Sequence, residues 1–256
     1  MSIIKHYKVD HLEVMIFETR NEMGRNAGED AATEIKKCIQ EKGFVNILFA
    51  AAPSQNETLA TLCEDREIDW KKVNAFHMDE YIGLDPEHPS GFANFLKRAI
   101  FDKFEFRSCN YLSGNTQNLV DETDRYSLLL RKYPLDVCLC GIGENGHIAF
   151  NDPAVADFDD KDLVKTVDLD DICRQQQVND GCFDSISLVP KQALTVTVPG
   201  IMSARKIICS VPASTKAQAV KHMLEGKIST DCPSSILREH PNAKLYLDMD
   251  SAESIL

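Results

Sequence analysis

The sequence has no apolar run long enough to cross a membrane and no stretch that resembles a signal peptide. A membrane-spanning helix needs about 20 consecutive apolar residues. We therefore expect a cytoplasmic protein without a membrane partner, in which the N-terminal stretch MSIIKHYKVDHLEV belongs to the mature chain. The sequence also has no internal repeat and no low-complexity segment, which leaves an ordinary globular chain.

Basic residues are in deficit, with 28 lysines and arginines against 40 acidic residues and a net charge of −12. A protein with this balance is repelled by phosphate backbones, so neither nucleic acid nor an anionic membrane is expected as a partner. An anionic small molecule would need a local basic cradle. Single lysines and arginines near the ends of loops are therefore informative in this chain.

The cysteines form no metal-binding pattern. There are nine of them, an odd number, with no Cys-x-x-Cys pair, and no His-x-x-x-His cluster occurs. Structural zinc sites and disulfide frameworks usually show such spacings. Because Cys138, Cys140 and Cys209 lie inside apolar runs, we expect reduced and mostly buried thiols and no metal site.

The chain is long enough for one large α/β domain, which we assign to residues 1–256. Short apolar runs alternate with stretches of helical periodicity, which predicts a mainly parallel twisted sheet with helices on both faces, as in Rossmann-like folds. Strands are expected at 12–17, 44–51, 73–78, 135–140, 194–198, 206–211 and 244–248, and helices at 23–42, 90–104, 120–132 and from 217 to 224.

The central stretch is 135–153, LDVCLCGIGENGHIAFNDP, in which a predicted buried strand gives way to three glycines. In open α/β sheets, ligands bind at such carboxyl ends of strands. The glycines spell Gly-x-Gly-x-x-Gly, and Asp168 or Asp170 lies near the spacing of a ribose-binding acid. A dinucleotide site also needs a long helix directly after the glycines, whereas 147–162 contains Pro153 and five aspartates. The context therefore argues against a dinucleotide site.

The same loop carries the groups needed for proton transfer. Histidine is the side chain most often used to move protons at neutral pH, and Asn145 and Asp152 offer an amide and a carboxylate beside His147. The alternative is a histidine that only caps the turn by bonding nearby backbone. The loop residues alone leave both interpretations open.

Two helix starts are candidate anion sites. Ser54 and Gln55 follow the predicted strand 44–51, and unpaired N–H groups at a helix start attract phosphate. Ser54 or Asn56 could instead be an ordinary N-cap. Lys216 lies at another helix start on the same edge, where a cation opposes the helix dipole and so indicates a bound anion, unless it is a solvated surface lysine.

Two adjacent acids follow the predicted strand 73–78. If the strand persists through Asp79 and Glu80, one faces the cleft and the other meets a cation or a backbone donor. A solvated acidic turn is the alternative. Further on, the acidic stretch 154–171 shows no regular period, which predicts a mobile lid over the cleft at about 154–186.

Three stretches in the same order resemble the glucosamine-6-phosphate deaminase (isomerase) family, a relative of the 6-phosphogluconolactonases. They are FHMDEYIGL at 76–84, GIGENGHIAFNDP at 141–153 and VPKQALTV at 189–196. The resemblance implies that the protein converts glucosamine 6-phosphate and water to fructose 6-phosphate and ammonia, by ring opening and aldose-ketose proton transfer. It implies no metal and no organic cofactor.

The resemblance also implies roles for individual residues. Asp79 would move a proton from sugar C2 to C1, and His147 would help to open the ring with Asn145 and Asp152 beside it. The implied substrate-binding and phosphate-binding residues are Ser54, Gln55, Glu80, Gly143, Arg174 and Lys216.

Several departures from the family pattern affect these roles. Most relatives have an acid in place of Asn145 and a glutamate in place of Asp152. An amide cannot act as an acid, so Asp152 would have to orient His147 alone. The loop around Ser54 has fewer glycines than in relatives. The arginine that many relatives carry in the lid falls near Gly181, and Arg174 is the nearest substitute.

Other functions remain open at this stage: a 6-phosphogluconolactonase-like hydrolase, a galactosamine-6-phosphate isomerase, or a catalytically silent sugar-phosphate sensor. A homo-oligomer is compatible with the sequence.

Some bacterial relatives are activated by an N-acetylated sugar phosphate bound beside the lid. Of those contacts only Lys165 and Thr166 are retained, while the relatives' serines fall near Val155 and Ala156 and their arginine near Leu163. We therefore predict hyperbolic saturation curves.

Overall fold

The computed structural model describes residues 3–256; Met1 and Ser2, the start of the N-terminal stretch discussed above, lie outside the described residues. Within 3–256, no helix has both the length and the apolar content to cross a membrane. The strands are β1 (Ile3–Val9), β2 (Leu12–Phe17), β3 (Val45–Phe49), β4 (Val73–His77), β5 (Asp79–Tyr81), β6 (Ser108–Asn110), β7 (Val137–Cys140), β8 (Val164–Asp168), β9 (Gln192–Val196), β10 (Lys206–Val211) and β11 (Ala243–Asp248). The helices are α1 (Arg20–Lys42), α2 (Asn56–Glu64), α3 (Phe92–Ala99), α4 (Leu119–Lys132), α5 (Asp171–Asn179), α6 (Val198–Met202) and α7 (Ala217–Glu225), with short 3-10 turns between some of them.

A large sheet of eight strands, in the order β1-β2-β11-β10-β7-β3-β4-β6, forms the centre of the molecule. All neighbours in it are parallel except β1 and β2, which form an antiparallel hairpin. Every residue of β3, β4, β7 and β10 is buried, because parallel strands are covered on both faces. The predicted mainly parallel sheet is confirmed.

Helices cover both faces of the large sheet, as predicted. Alternate residues of each strand point to opposite faces, so Ile47 and Leu139 pack under α1 and α2, while Leu48 and Cys138 pack under α4 and α7. The predicted end of the first long helix is also confirmed: Gly43 takes the left-handed conformation at φ 83° and its N–H bonds the Ile39 carbonyl. Thr19 caps the other end, four residues before the predicted start.

A second sheet of three antiparallel strands, in the order β5-β9-β8, was not predicted. Strand β8 lies inside 154–171, where the sequence shows no regular period and no strand was predicted. The strand forms because its backbone pairs with β9, and such pairing between distant segments leaves no periodic pattern. Strand β1 was missed because it is mostly exposed and has no buried face, and the predicted helix 90–104 is shorter, spanning only α3.

The order of the large sheet reverses beside β3. The chain runs from β3 to β4 and β6 on one side, and then returns to place β7 on the other side. Such a switch point leaves a crevice at the carboxyl ends of the strands, where ligands bind in open α/β folds. The loops that follow β3, β4, β7 and β10 meet there.

Candidate active site

A cavity of about 750 Å³, counting the part open to solvent, lies at this switch point. Four loops each bring one of the predicted site residues to its wall: Ser54 follows β3, Asp79 follows β4, His147 follows β7 and Lys216 follows β10. Small-molecule sites have this size and contain a few convergent polar groups. The structure therefore unites residues that are far apart in the sequence.

The loop after β7 is folded around His147. Gly143 donates its N–H to the His147 carbonyl at 2.9 Å, and the Asn145 Oδ1 accepts the His147 N–H at 3.1 Å. A Cβ at Gly143 would lie 2.2 Å from the imidazole ring, and Gly146 has φ 83°, a left-handed conformation that L side chains rarely adopt. The glycines therefore allow the turn and the close approach of the ring.

His147 contacts the fully buried carboxylate of Asp152. Nδ1 and Oδ1 are 2.9 Å apart, although the alignment is not that of a good hydrogen bond. Burial alone would raise the pKa of Asp152, but the contact with His147 and the amide of Asn145 lower it overall. Asp152 is thus a carboxylate at neutral pH and faces one ring nitrogen, which leaves the other for the cavity.

Asn145 supports Asp152 and does not contact the His147 ring. The Asn145 Nδ2 donates to Asp152 Oδ1 and to Asp170 Oδ2, each at 2.9 Å. Asn145 is therefore a hydrogen-bond donor between two carboxylates. Asp170 was considered in the sequence only as a possible ribose-binding acid, and its contact with this loop was not predicted.

Asp79 is 6% exposed and lies on the cavity wall. Burial, followed by the charge of Glu80, raises its pKa well above the ordinary value for an aspartate. No described residue donates a hydrogen bond to its side chain to offset this, so its ionised form is a strong base by the standards of a carboxylate.

Glu80 points away from the cavity, as strand alternation requires. Its carboxylate accepts the N–H groups of Tyr81, Phe92 and Ala93 at 2.9 to 3.1 Å and so caps the start of α3. The predicted split, in which one acid faces the cleft and the other meets backbone donors, is what the structure shows. Glu80 does not line the cavity, and its implied contact with substrate is corrected to a structural role.

Lys216 is 5% exposed, and its ammonium has no hydrogen-bond partner among the described residues. Burial lowers its pKa, against the opposing charges of Asp180 and Glu144. A buried cation without a partner is costly unless a ligand supplies the counter-charge. Lys216 is therefore suited to bind an anion in the cavity.

Only some of the other implied anion-binding residues line the cavity. Ser54 lines the cavity, whereas Gln55 is buried beside it and donates to the carbonyl of Cys140 at 3.0 Å. Neither Ser54 nor Asn56 caps α2, so the N-cap alternative is not what the structure shows. Gly143 supports the His147 ring and is not on the cavity wall.

Arg174 does not reach the cavity. Its guanidinium donates to Asp171 and to the carbonyls of Ile186 and Val189, so it ties α5 to the end of the lid segment. This corrects the implied phosphate contact, because the guanidinium is bonded to these partners and does not line the cavity.

Several polar residues on the wall were missed. Arg20 comes from the first turn of α1, Gln176 and Gln177 come from α5, and Asp180 directly follows that helix. Arg20 is held by Glu57, at 2.8 Å from Nε to Oε1, and by the Pro53 carbonyl. A first-turn arginine far upstream carries no local sign of a site, whereas the paired glutamines on one side of a short helix were detectable as a polar patch.

The group most like a metal site is His147, Asp152 and Cys173, whose ligand-type atoms lie within 4.8 Å of one another. Burial raises the pKa of the Cys173 thiol, and the Asp152 and Asp170 carboxylates raise it further. His147 and Asp152 are also the pair predicted from the sequence to take part in proton transfer, whereas Cys173 was given no role.

Comparisons with known proteins agree with this geometry. A family model described as glucosamine-6-phosphate isomerases/6-phosphogluconolactonase matches residues 18–246. A glucosamine-6-phosphate deaminase of an Exiguobacterium species is 35% identical over 93% of this chain and 89% of its own length. One from Listeria monocytogenes is 33% identical over 93% of this chain and 99% of its own.

Solved structures show the same fold. A monomeric glucosamine-6-phosphate deaminase superposes with a TM-score of 0.85 at 29% identity, covering 94% of this chain and 99% of that one. A 6-phosphogluconolactonase from Trypanosoma brucei superposes with a TM-score of 0.77 at 16% identity, covering 98% of this chain and all of that one. The sequence motifs, the cavity and these matches together show that the chain belongs to the glucosamine-6-phosphate isomerase and 6-phosphogluconolactonase family.

Proposed function

We propose that this protein is a glucosamine-6-phosphate deaminase, which converts glucosamine 6-phosphate and water to fructose 6-phosphate and ammonia. The observation that carries the proposal is Asp79, a buried carboxylate of raised pKa that faces the same cavity as His147. Removing a proton from carbon requires a strong positioned base. Hydrolysis of a lactone requires only an activated water, so the lactonase alternative leaves Asp79 without a task.

His147 acts first, on the closed sugar ring. With one ring nitrogen against Asp152, the other moves a proton between the C1 hydroxyl and the ring oxygen, which opens the pyranose to the aldehyde. The negative charge of Asp152 stabilises the imidazolium that forms during this transfer. Asn145 donates to Asp152 and keeps that carboxylate in place.

Asp79 acts next, on the open chain. Its carboxylate takes the proton from C2, which gives an enolamine, and returns the proton to C1. The product carries a C2 imine, to which water adds before ammonia leaves. Because Asp79 is buried on the cavity wall, its carboxyl group can hold the proton between the two steps, and one carboxylate is sufficient for both.

We place the phosphate against Lys216, with Ser54 and Arg20, which also line the cavity, as further donors. Lys216 supplies a cation that lacks a partner, and Arg20 supplies guanidinium donors beyond those held by Glu57 and Pro53. This basic end gives a chain of net charge −12 the local cradle that an anionic substrate needs.

The residues described on the cavity wall all come from one chain. All nine cysteines are free thiols, which is the state expected in the reducing cytoplasm, where we place the enzyme.

The decisive experiment measures ammonia and fructose 6-phosphate released by the purified protein from a panel of substrates. Glucosamine 6-phosphate should be turned over, unphosphorylated glucosamine should be a very poor substrate, and 6-phosphogluconolactone should not be hydrolysed. Galactosamine 6-phosphate, the epimer, tests the isomerase alternative. Acid release from the lactone without ammonia release from either amino sugar would overturn the proposal.

A further inference from the structure

The Asn145 side chain is held in one orientation by two carboxylates from different parts of the chain. Its Nδ2 donates to Asp152, which lies in the same loop, and to Asp170, which lies 25 residues further on. Its Oδ1 accepts the His147 N–H. Turning the amide over would place its oxygen against two negative charges and its donors against a donor, so the network allows one orientation.

Asp170 occupies the junction between β8 and α5. Its Oδ1 caps α5 by accepting the Cys173 N–H, and its own backbone N–H donates to Asp152 Oδ2 at 3.3 Å. One carboxylate oxygen therefore belongs to the helix and the other to Asn145. A residue that served only as an N-cap would have no need of the second contact.

Helix α5 braces the His147 loop at a second point as well. The Oε1 of Gln176 accepts the N–H of Glu144 at 2.9 Å, so both Glu144 and Asn145 are tied to the same helix. The loop is also held by a bond from the Ser234 N–H to the Gly146 carbonyl at 2.8 Å and by the bond from Gly143 to His147. The contacts with α5 add to these and hold the side of the loop that carries Glu144 and Asn145.

We propose that Asp170 is a positioning residue for catalysis, which acts through Asn145 to hold Asp152 and His147 in their working arrangement. This role rests on the proton transfer by His147 proposed above. Asp170 touches no substrate, so its removal should slow the chemical step while leaving the phosphate contacts of Lys216 unchanged. A role confined to capping α5 would leave the chemical step intact.

The test is a double-mutant cycle between Asp170→Ser and Asn145→Ala. Serine is a good N-cap, so Asp170→Ser keeps the cap on α5 and removes the bond to Asn145. Asp170→Asn is the second choice if the serine variant folds poorly, because it also caps the helix but turns an amide donor towards Asn145. Asp168→Asn removes an exposed carboxylate two residues away and serves as the matched control.

Each single variant should lower kcat by about 5- to 50-fold, as is common when one member of a hydrogen-bond network is lost. KM should change by less than about twofold, because the loss affects the transition state rather than substrate binding. The double variant should be no slower than the slower single variant, since both changes break the same link. Wild-type kcat in Asp170→Ser, or full multiplication of the two losses in the double variant, would overturn the proposal.

The same four proteins also give a readout that does not depend on turnover. If Asp170 bonds Asn145, the losses in Tm should be non-additive, with the double variant recovering about 2 to 8 °C of the summed losses. Additive losses would refute the link. A wild-type protein that releases no ammonia would instead refute the proposed function, and the Tm cycle would still decide whether the two side chains are coupled.

Discussion

Replacing Lys216 by methionine should weaken substrate binding and should also make the free protein more stable. Lys216 is 5% exposed, its ammonium has no partner among the described residues, and burial lowers its pKa. Methionine has a similar length and shape without the charge, so it fills the same space. The substitution therefore removes a cation and leaves the packing nearly unchanged.

The expected loss follows from one charge-assisted contact to phosphate, worth about 1.5 to 3 kcal/mol. This corresponds to a fall of about 10- to 150-fold in kcat/KM for glucosamine 6-phosphate. The free protein should become more stable, because folding no longer buries an unpaired charge. The direction of the pKa shift agrees with this, because the lysine binds its proton more tightly in the unfolded chain than in the folded protein. The stability of the wild type should therefore rise as the pH increases from the lowered pKa towards the ordinary pKa of lysine. The variant should lack that rise.

The assay compares kcat/KM and the free energy of unfolding, measured with urea, for wild type and Lys216→Met. Inorganic phosphate should raise the Tm of wild type more than that of the variant. Lys221→Met, an exposed lysine on the same helix, should change neither quantity. A variant that is less stable while keeping full activity would refute the reasoning, because Lys216 would then be a structural residue.

Three further predictions concern catalysis, pH and regulation. Asp79→Asn should lower kcat by about 10²- to 10⁴-fold or more, because the amide cannot accept the C2 proton, while the affinity for a substrate analogue is largely kept. Undiminished turnover of this variant in a rate assay would contradict the role of Asp79. Burial lowers the pKa of His77 to about 3, so below pH 6.5 the unfolded chain takes up a proton that the folded protein refuses. Stability should therefore fall by up to about 1.4 kcal/mol per pH unit between pH 6 and 4 from this residue, and urea unfolding of His77→Gln should show a shallower fall; equal slopes would rule the histidine out. Finally, the Lys165 ammonium already donates to the Val155 carbonyl and to Asp160, at 2.7 and 2.8 Å. N-acetylglucosamine 6-phosphate should therefore leave the hyperbolic saturation curves unchanged. Sigmoidal kinetics that this compound relieves would instead reveal an effector site.

The parallel sheet and the order of the site segments could be predicted from the amino-acid sequence alone. Strand β7 is a continuous apolar run and β10 is largely apolar, because both faces of these strands are covered, and such runs can be recognised in the sequence. Alternation along a strand likewise predicted that Asp79 and Glu80 face opposite sides. The position of Asp79, His147 and Lys216 at strand ends followed from the same reasoning, since parallel strands end at one edge of a sheet.

Only the tertiary structure decided which side chains meet at that edge. Strand β8 exists because β9 pairs with it, and neither has a pattern that requires the other. Arg174 matched the expected residue type, but the turn of α5 points it at backbone carbonyls, while Arg20 reaches the cavity from the start of the chain. Asp170 joins Asn145 across 25 residues through a hydrogen bond 2.9 Å long. The spacing of apolar residues indicates which face of a helix or strand is buried. Contacts between distant residues depend on how the helices and strands pack against one another, and this packing cannot be read from the spacing in a single sequence.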